Sequence, residues 1–236
     1  KIFSKDGKVL ADLNYKNDKL DGTSKSFYET GIVMKEENYS DDKRNGTCME
    51  YSKSGRLRRQ LTYMDDLLEG ITKTYYKTGE LKTEWYYRNN KLEGVSKGYT
   101  KKGRLFAEWN YMNDVMEGIS KEYHNNGKVR NVLNHKNSKL DGIAATYDND
   151  GVLSGEWNYK NDKREGLSRQ FYKSGKVSWE WEFKSDLRDG QARNYHENGK
   201  LKGIGTYKSD LLEGPARSYA GNGRVDAEWN FKGGKL

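Results

Sequence analysis

The sequence predicts an all-β fold, an elongated, single-layer antiparallel meander of about ten β-hairpin repeats of 24 residues each. Three observations predict it. Two glycine ladders climb the chain in equal steps. Aromatic and aliphatic residues recur at odd positions between the rungs. Finally, 26 glycines against a single proline suit many tight turns and few extended linkers.

The first ladder, Gly22, Gly46, Gly70, Gly94, Gly118, Gly142, Gly166, Gly190 and Gly214, serves as position zero of each repeat. A second ladder, from Gly7 and Gly31 to Gly199 and Gly223, follows nine residues later with the same step. Chance does not produce two such series without an insertion or deletion. The ladders run from end to end, so the chain reads as a single array over residues 1–236. A partial first repeat covers 1–21, full repeats open at 22, 46, 70, 94, 118, 142, 166 and 190, and a last one covers 214–236.

Position five is aromatic in every repeat, as in Phe27, Tyr51, Tyr75, Tyr99 and Tyr123, and position eleven is Val or Leu. Position fifteen holds Trp85, Trp109, Trp157, Trp181 and Trp229, and position seventeen is Tyr or Phe except at His135. Alternation with a period of two, over two short runs, marks two strands per repeat, each with one apolar and one polar face. Segments such as "ENG", "NNG" and "KSG" at positions seven to nine suit a three-residue hairpin loop that ends on a left-handed glycine. That loop sets position five opposite eleven, three opposite thirteen and one opposite fifteen, which lands every apolar column on one face. The longer turn, "NDKLDG" in the first repeat, closes the next hairpin and offers Leu20, Leu68, Leu92, Leu140 and Leu212 as plugs. About twenty strands at roughly 4.8 Å spacing would make a twisted rod on the order of 90 Å long.

Only 33% of the residues are hydrophobic and mean hydropathy is −1.14, values that alone lean toward disorder. Aromatics at 13% argue the other way. An open sheet with no helix layer needs broad, flat side chains to cover its own face, so the rings are the expected core. Gly22, Gly46, Gly70 and Gly94, with Tyr51, Tyr75, Tyr99 and Tyr123, are thus expected to be structural. Position three adds Lys73, Lys97, Lys121 and Arg169 to the same face, their stems lying over rings. The sharper reading makes Trp85, Trp109, Trp157 and Trp181, together with those four cations, a ligand-binding stripe. A second candidate is a basic edge at the short turns, with Lys101, Lys102, Arg104, Lys173 and Lys176. That edge carries as much net positive charge as the whole chain, +8.

Catalytic, cofactor and metal sites are all read as none. His124 and His196 share a position but stand three repeats apart, too far to share a metal. Glu84, Glu108, Glu156 and Glu180 recur at position fourteen as an open charge ladder with no cleft to raise a carboxyl pKa. The acids of the long turns are interrupted by Lys19 and Lys43 and follow no calcium-loop pattern. The lone Cys48 excludes an internal disulfide framework, and no apolar stretch of about 18 residues spans a membrane.

A glycine, a Tyr-containing strand, a glycine turn, then Glu-Trp and a polar turn ending in another glycine resembles the membrane occupation and recognition nexus repeat, MORN, most of all its 24-residue bacterial variant. The segment "EWNYKNDKREG" at 156–166 shows this best. Ser24, Thr72, Ser96, Ser120 and Ala216 depart from the eukaryotic consensus, standing where it has the second glycine of a Gly-x-Gly. The resemblance implies an elongated β-scaffold for protein interaction, dimerisation or targeting, with phospholipid binding in some members, and antitoxin-like or surface-exposed roles in bacterial ones. The leading expectation is a non-enzymatic scaffold for a protein partner, at a bacterial surface in preference to the cytoplasm. The alternatives are a glycan, cell-wall or anionic-lipid binder using the Trp stripe and basic edge, and a cytoplasmic antitoxin-like protein. Nucleic acid is the weakest partner. Both ends read as trimmed, and strands exposed there invite end-to-end or edge self-association.

Overall fold

A computed structural model describes residues 1–236. The protein is all-β. It has no helix, and its strands form an antiparallel meander of repeated hairpins. Two compact bodies, residues 1–115 and 116–236, follow the same plan.

Most repeats pair a six-residue strand with an eight-residue strand. Examples are Gly70–Tyr75 with Leu81–Arg88 in the first body and Gly142–Tyr147 with Leu153–Lys160 in the second. The short turn is the three-residue loop the sequence predicts. In the first full repeat, Tyr28 N–H donates to Ile32 C=O at 2.8 Å and Gly31 N–H to Tyr28 C=O at 2.8 Å. Gly31 there has φ +80°, a conformation open to glycine at no steric cost.

Beyond the turn the register departs from expectation. Tyr75 does face Leu81, five opposite eleven, but Thr74 faces Thr83, Lys73 faces Glu84 and Thr72 faces Trp85. One extra residue at position twelve forms a β-bulge in every full repeat, and such a bulge reverses the parity of all that follows it. Side chains at positions two, four, thirteen, fifteen and seventeen therefore share one face, and those at one, three, five, fourteen and sixteen share the other. The expectation that every apolar column gathers on one face is corrected on this point. The Trp column lies on one side of the sheet, and the position-five rings lie on the other.

The bulge also explains the small residues at position two. Ser24, Cys48, Thr72, Ser96, Ser120, Ala144, Ser168, Ala192 and Ala216 are all buried, and Ser96 and Ser168 are wholly inaccessible. They form the floor on which the position-fifteen rings rest, and a larger side chain there would lift the rings off the sheet.

The long turn is tighter than a six-residue connection. Its two central residues are both left-handed, as with Asn89 at φ 50° and Asn90 at φ 66°. That is a type I′ turn, which Asn and Asp tolerate best among residues with a side chain. A two-residue strand follows, so Leu92 pairs with Tyr87 and Lys91 with Arg88. The meander thus gains a short third strand in most repeats, beyond the two expected; at Leu187–Tyr195 it merges with the next strand. The plug residues Leu20, Leu68, Leu92, Leu140 and Leu212 are partly buried.

Adjacent long turns are bonded to each other through side-chain oxygens, mostly of acids. In the first body the Oδ1 atoms of Asp42, Asn90 and Asp114 accept the N–H groups of Leu20, Leu68 and Leu92 at 2.8, 2.6 and 2.7 Å. In the second body Asp162 and Asp210 do the same for Leu140 and Arg188, at 2.7 and 3.0 Å. The acid one residue before the next repeat adds a further bond, as from Asn89 N–H to Glu69 at 2.9 Å. These recurrent acids therefore serve to satisfy backbone donors.

Candidate functional site

The bulge gives the sheet two chemically different faces. On the first, indoles stack over the small-residue floor. Trp85 and Trp109 lie 5.7 Å apart with planes 12° from parallel, and in the second body Trp157 and Trp181 lie 6.2 Å apart at 13°. Trp179 extends that second stack, 5.2 Å from Trp181 and almost coplanar in tilt at 2°.

The second face carries a repeated ion–phenol arrangement. Lys25 and Glu36 meet at 2.8 Å, Lys73 and Glu84 at 3.4 Å, and Arg169 and Glu180 at 3.0 Å. The position-five tyrosine of the next repeat donates to the same carboxylate, Tyr51 to Glu36 at 3.3 Å, Tyr99 to Glu84 at 2.7 Å and Tyr195 to Glu180 at 2.8 Å. Burial and then the Glu84 carboxylate push the Tyr99 phenol up to about 12. Burial by itself would raise the Glu180 carboxyl, but hydrogen bonds from Tyr195 and Arg169 outweigh it and hold that group below the ordinary value.

The Tyr99 shift has a testable sign. A phenol raised in the folded chain contributes stability below its unfolded pKa of about 10 and loses it as pH climbs through the folded value. Several tyrosines are raised, so titration of phenolate absorbance should show a late phase, and Tyr99→Phe should remove one tyrosine's amplitude from it near pH 12. The same substitution should cost about 1 kcal/mol at neutral pH, the scale of one part-exposed hydrogen bond. A Tyr99→Phe protein whose late amplitude is undiminished would refute the assignment.

The predicted stripe is therefore divided by the sheet. Trp85, Trp109, Trp157 and Trp181 occupy one side, whereas Lys73, Lys97 and Arg169 face Glu84, Glu108 and Glu180 across the strands on the other. Lys121 shares that side but stands opposite Val132. The lysine stems do not lie over the indoles as expected. Cations do cover rings, but from other positions: Arg44 sits 4.1 Å from the Tyr63 centroid, Arg164 4.3 Å from Phe183 and Arg188 4.2 Å from Tyr207. These arginines occupy the plug position of the long turn.

The short-turn edge is exposed at Lys101, Lys102, Arg104 and Lys173. Part of its charge is used locally. Lys173 lies 3.5 Å from Asp150, and Lys176 donates to the Glu197 carbonyl at 3.1 Å, as Lys200 does to Asn222 at 3.1 Å. Tyr51, Tyr75, Tyr99 and Tyr123 are partly buried on the ion-pair face. Gly22, Gly46, Gly70 and Gly94 all hold positive φ, between +69° and +93°.

Sequence reasoning missed one column. Position one places Ile71 and Val95 in the first body, and Ile119, Ile143 and Leu167 in the second, on the ion-pair face. They are 46%, 52%, 53%, 53% and 37% exposed. The signal was an aliphatic residue at the same place in five consecutive repeats, hidden because the unbulged register put that column beneath the tryptophans.

An open sheet of repeated hairpins with two extended faces defines a repeat protein. Residues 20–41, 68–90, 116–137, 140–161 and 188–209 match the MORN repeat variant, each match opening at the same place in the 24-residue unit. These five repeats are MORN repeats of that variant. MORN repeats are generally protein- or membrane-lipid-interaction repeats, and the family is typically a non-enzymatic scaffold. No curated protein matches the chain.

Proposed function

We propose that this protein is a non-enzymatic scaffold that binds a protein partner through the position-one face, in keeping with a bacterial surface role. The observation that carries the reading is the aliphatic column itself. In the second body Ile119, Ile143 and Leu167 project at the regular pitch of the repeats, and beside Ile143 and Leu167 the Arg169 guanidinium pairs with both Glu156 and Glu180. An exposed apolar row flanked by neutralised charge suits a protein surface, where desolvation is cheap and contacts accumulate along the array. The indoles, by contrast, are largely occupied with one another, which weighs against a glycan stripe built on Trp85, Trp109, Trp157 and Trp181. The unbroken glycine phase across residues 115 and 116 supports one continuous array.

The test is affinity capture from cells that make the protein, using wild type and two variants. Ile119→Asp with Ile143→Asp should weaken capture of a specific partner about tenfold or more while leaving the fold intact, because both residues are half exposed. Trp157→Ala should leave capture nearly unchanged. Capture that depends only on Trp157, or salt-sensitive binding to anionic vesicles with no protein partner, would reject this reading in favour of a glycan or lipid one.

A further inference from the structure

The second body carries a gap in its ring column, where position fifteen is Gly205. From Trp157 through Trp181 and Trp179 the indoles are in contact, and the row resumes at Trp229. Between them, positions thirteen and fifteen are Gly203 and Gly205. A cavity of about 520 Å³ opens there, floored by Gly203 and Gly205 with Ala192 and Ala216, and walled by Trp179 and Trp229. The two indoles are 38% and 39% exposed, while Ala192 and Ala216 are 6% and 8% exposed. Its volume exceeds the roughly 150 Å³ that suffices for a benzene ring and falls within the usual range of ligand sites.

We propose that this slot binds a planar aromatic ring of indole size. The chain shows the fit itself, since at the same place in other repeats an indole lies on the same small-residue floor and stacks against its neighbour. Trp179 is an extra ring at position thirteen, where the neighbouring repeats have Gly155 and Gly203. It broadens the wall that faces the gap. Leu212 leans over the floor, so that a Cβ on Gly205 would lie 3.1 Å from its Cδ2. In the repeat opening at Gly70, Leu92 stands at the equivalent position and Trp85 at the position of Gly205, so one repeat accommodates both this leucine and an indole. An incoming ring displaces Leu212 to that arrangement.

The site stands apart from the position-one column, which lies on the opposite face. Its test needs no partner. Indole titrated into the full chain should shift the indole N–H resonances of Trp179 and Trp229 saturably, with a dissociation constant on the order of 1 mM or below. Gly205→Trp, which fills the slot from within at a backbone conformation open to any residue, should weaken this at least about tenfold. Trp229→Ala removes one wall at the exposed last hairpin and should weaken it as well, which keeps the test decisive if Gly205→Trp does not fold. A blocked tryptophan amide that binds as well as indole identifies a partner's side chain as the source of the ring. Binding by free indole alone identifies a small molecule. No saturable shift, or equal shifts in wild type and in both variants, overturns the proposal.

Discussion

Ser96→Leu should lower the unfolding free energy of the first body by about 2–4 kcal/mol. Ser96 is wholly inaccessible and lies directly opposite Trp109 across the hairpin, beneath the stack that Trp109 makes with Trp85. Three added carbons force the indoles outward, and overpacking of that kind costs about 1–3 kcal/mol. Losing the bond from Tyr86 N–H to Ser96 Oγ, 3.4 Å long, adds about 1 kcal/mol. Val95→Leu, one residue away, is the control. Val95 is 52% exposed on the opposite face, and its enlargement should change stability by less than about 0.5 kcal/mol. Denaturant unfolding of the two variants reads the register directly, because without the bulge Val95 would lie under Trp109 and the two outcomes would be exchanged.

Gly46→Val should cost about 2–3 kcal/mol, for a reason unrelated to space. A Cβ at Gly46 would come no closer than 3.8 Å to Asn38, an ordinary contact. The backbone there holds φ +92°, a region that a β-branched residue enters only under strain of roughly 1–3 kcal/mol. Ladder bonds weakened around the strained turn account for the remainder. Because each repeat leans only on its neighbours, hydrogen exchange should accelerate around residues 38–63 and leave the second body near its wild-type rates. Exchange rising evenly along the chain would contradict that locality.

The fold was largely legible because its turns speak through single residues. Gly31 and its equivalents can mark only a left-handed corner, whereas the tight long turn, made by Asp-Asp, Asn-Ser and Ser-Asp pairs as well as Asn-Asp and Asn-Asn, was read as a longer connection. The position and direction of the two main strands of each repeat follow, while the short third strand does not. The bulge was not legible, since position twelve is Met34, Arg58, Lys82, Phe106, Arg130 or Ser154 in successive repeats and carries no common chemistry. A bulge is imposed by packing, and the one clue to it was the run of small residues at position two, which makes sense only under a ring. That single slip of parity divided the anticipated Trp and Lys stripe and concealed the position-one column. The gap at Gly205 was visible as a missing tryptophan, but its depth depended on Trp179 and Trp229 facing it from neighbouring hairpins.

The interlocked long turns have an evolutionary consequence. Each position-twenty side chain must meet a particular N–H of the preceding corner, as Asp162 meets that of Leu140. Adding or deleting one residue anywhere between two such corners would carry the oxygen past its mate and flip the intervening side chains through the sheet. Lineages carrying this architecture can therefore change length only by duplicating or losing whole modules, while substitutions within a module remain free to diversify what its surfaces display.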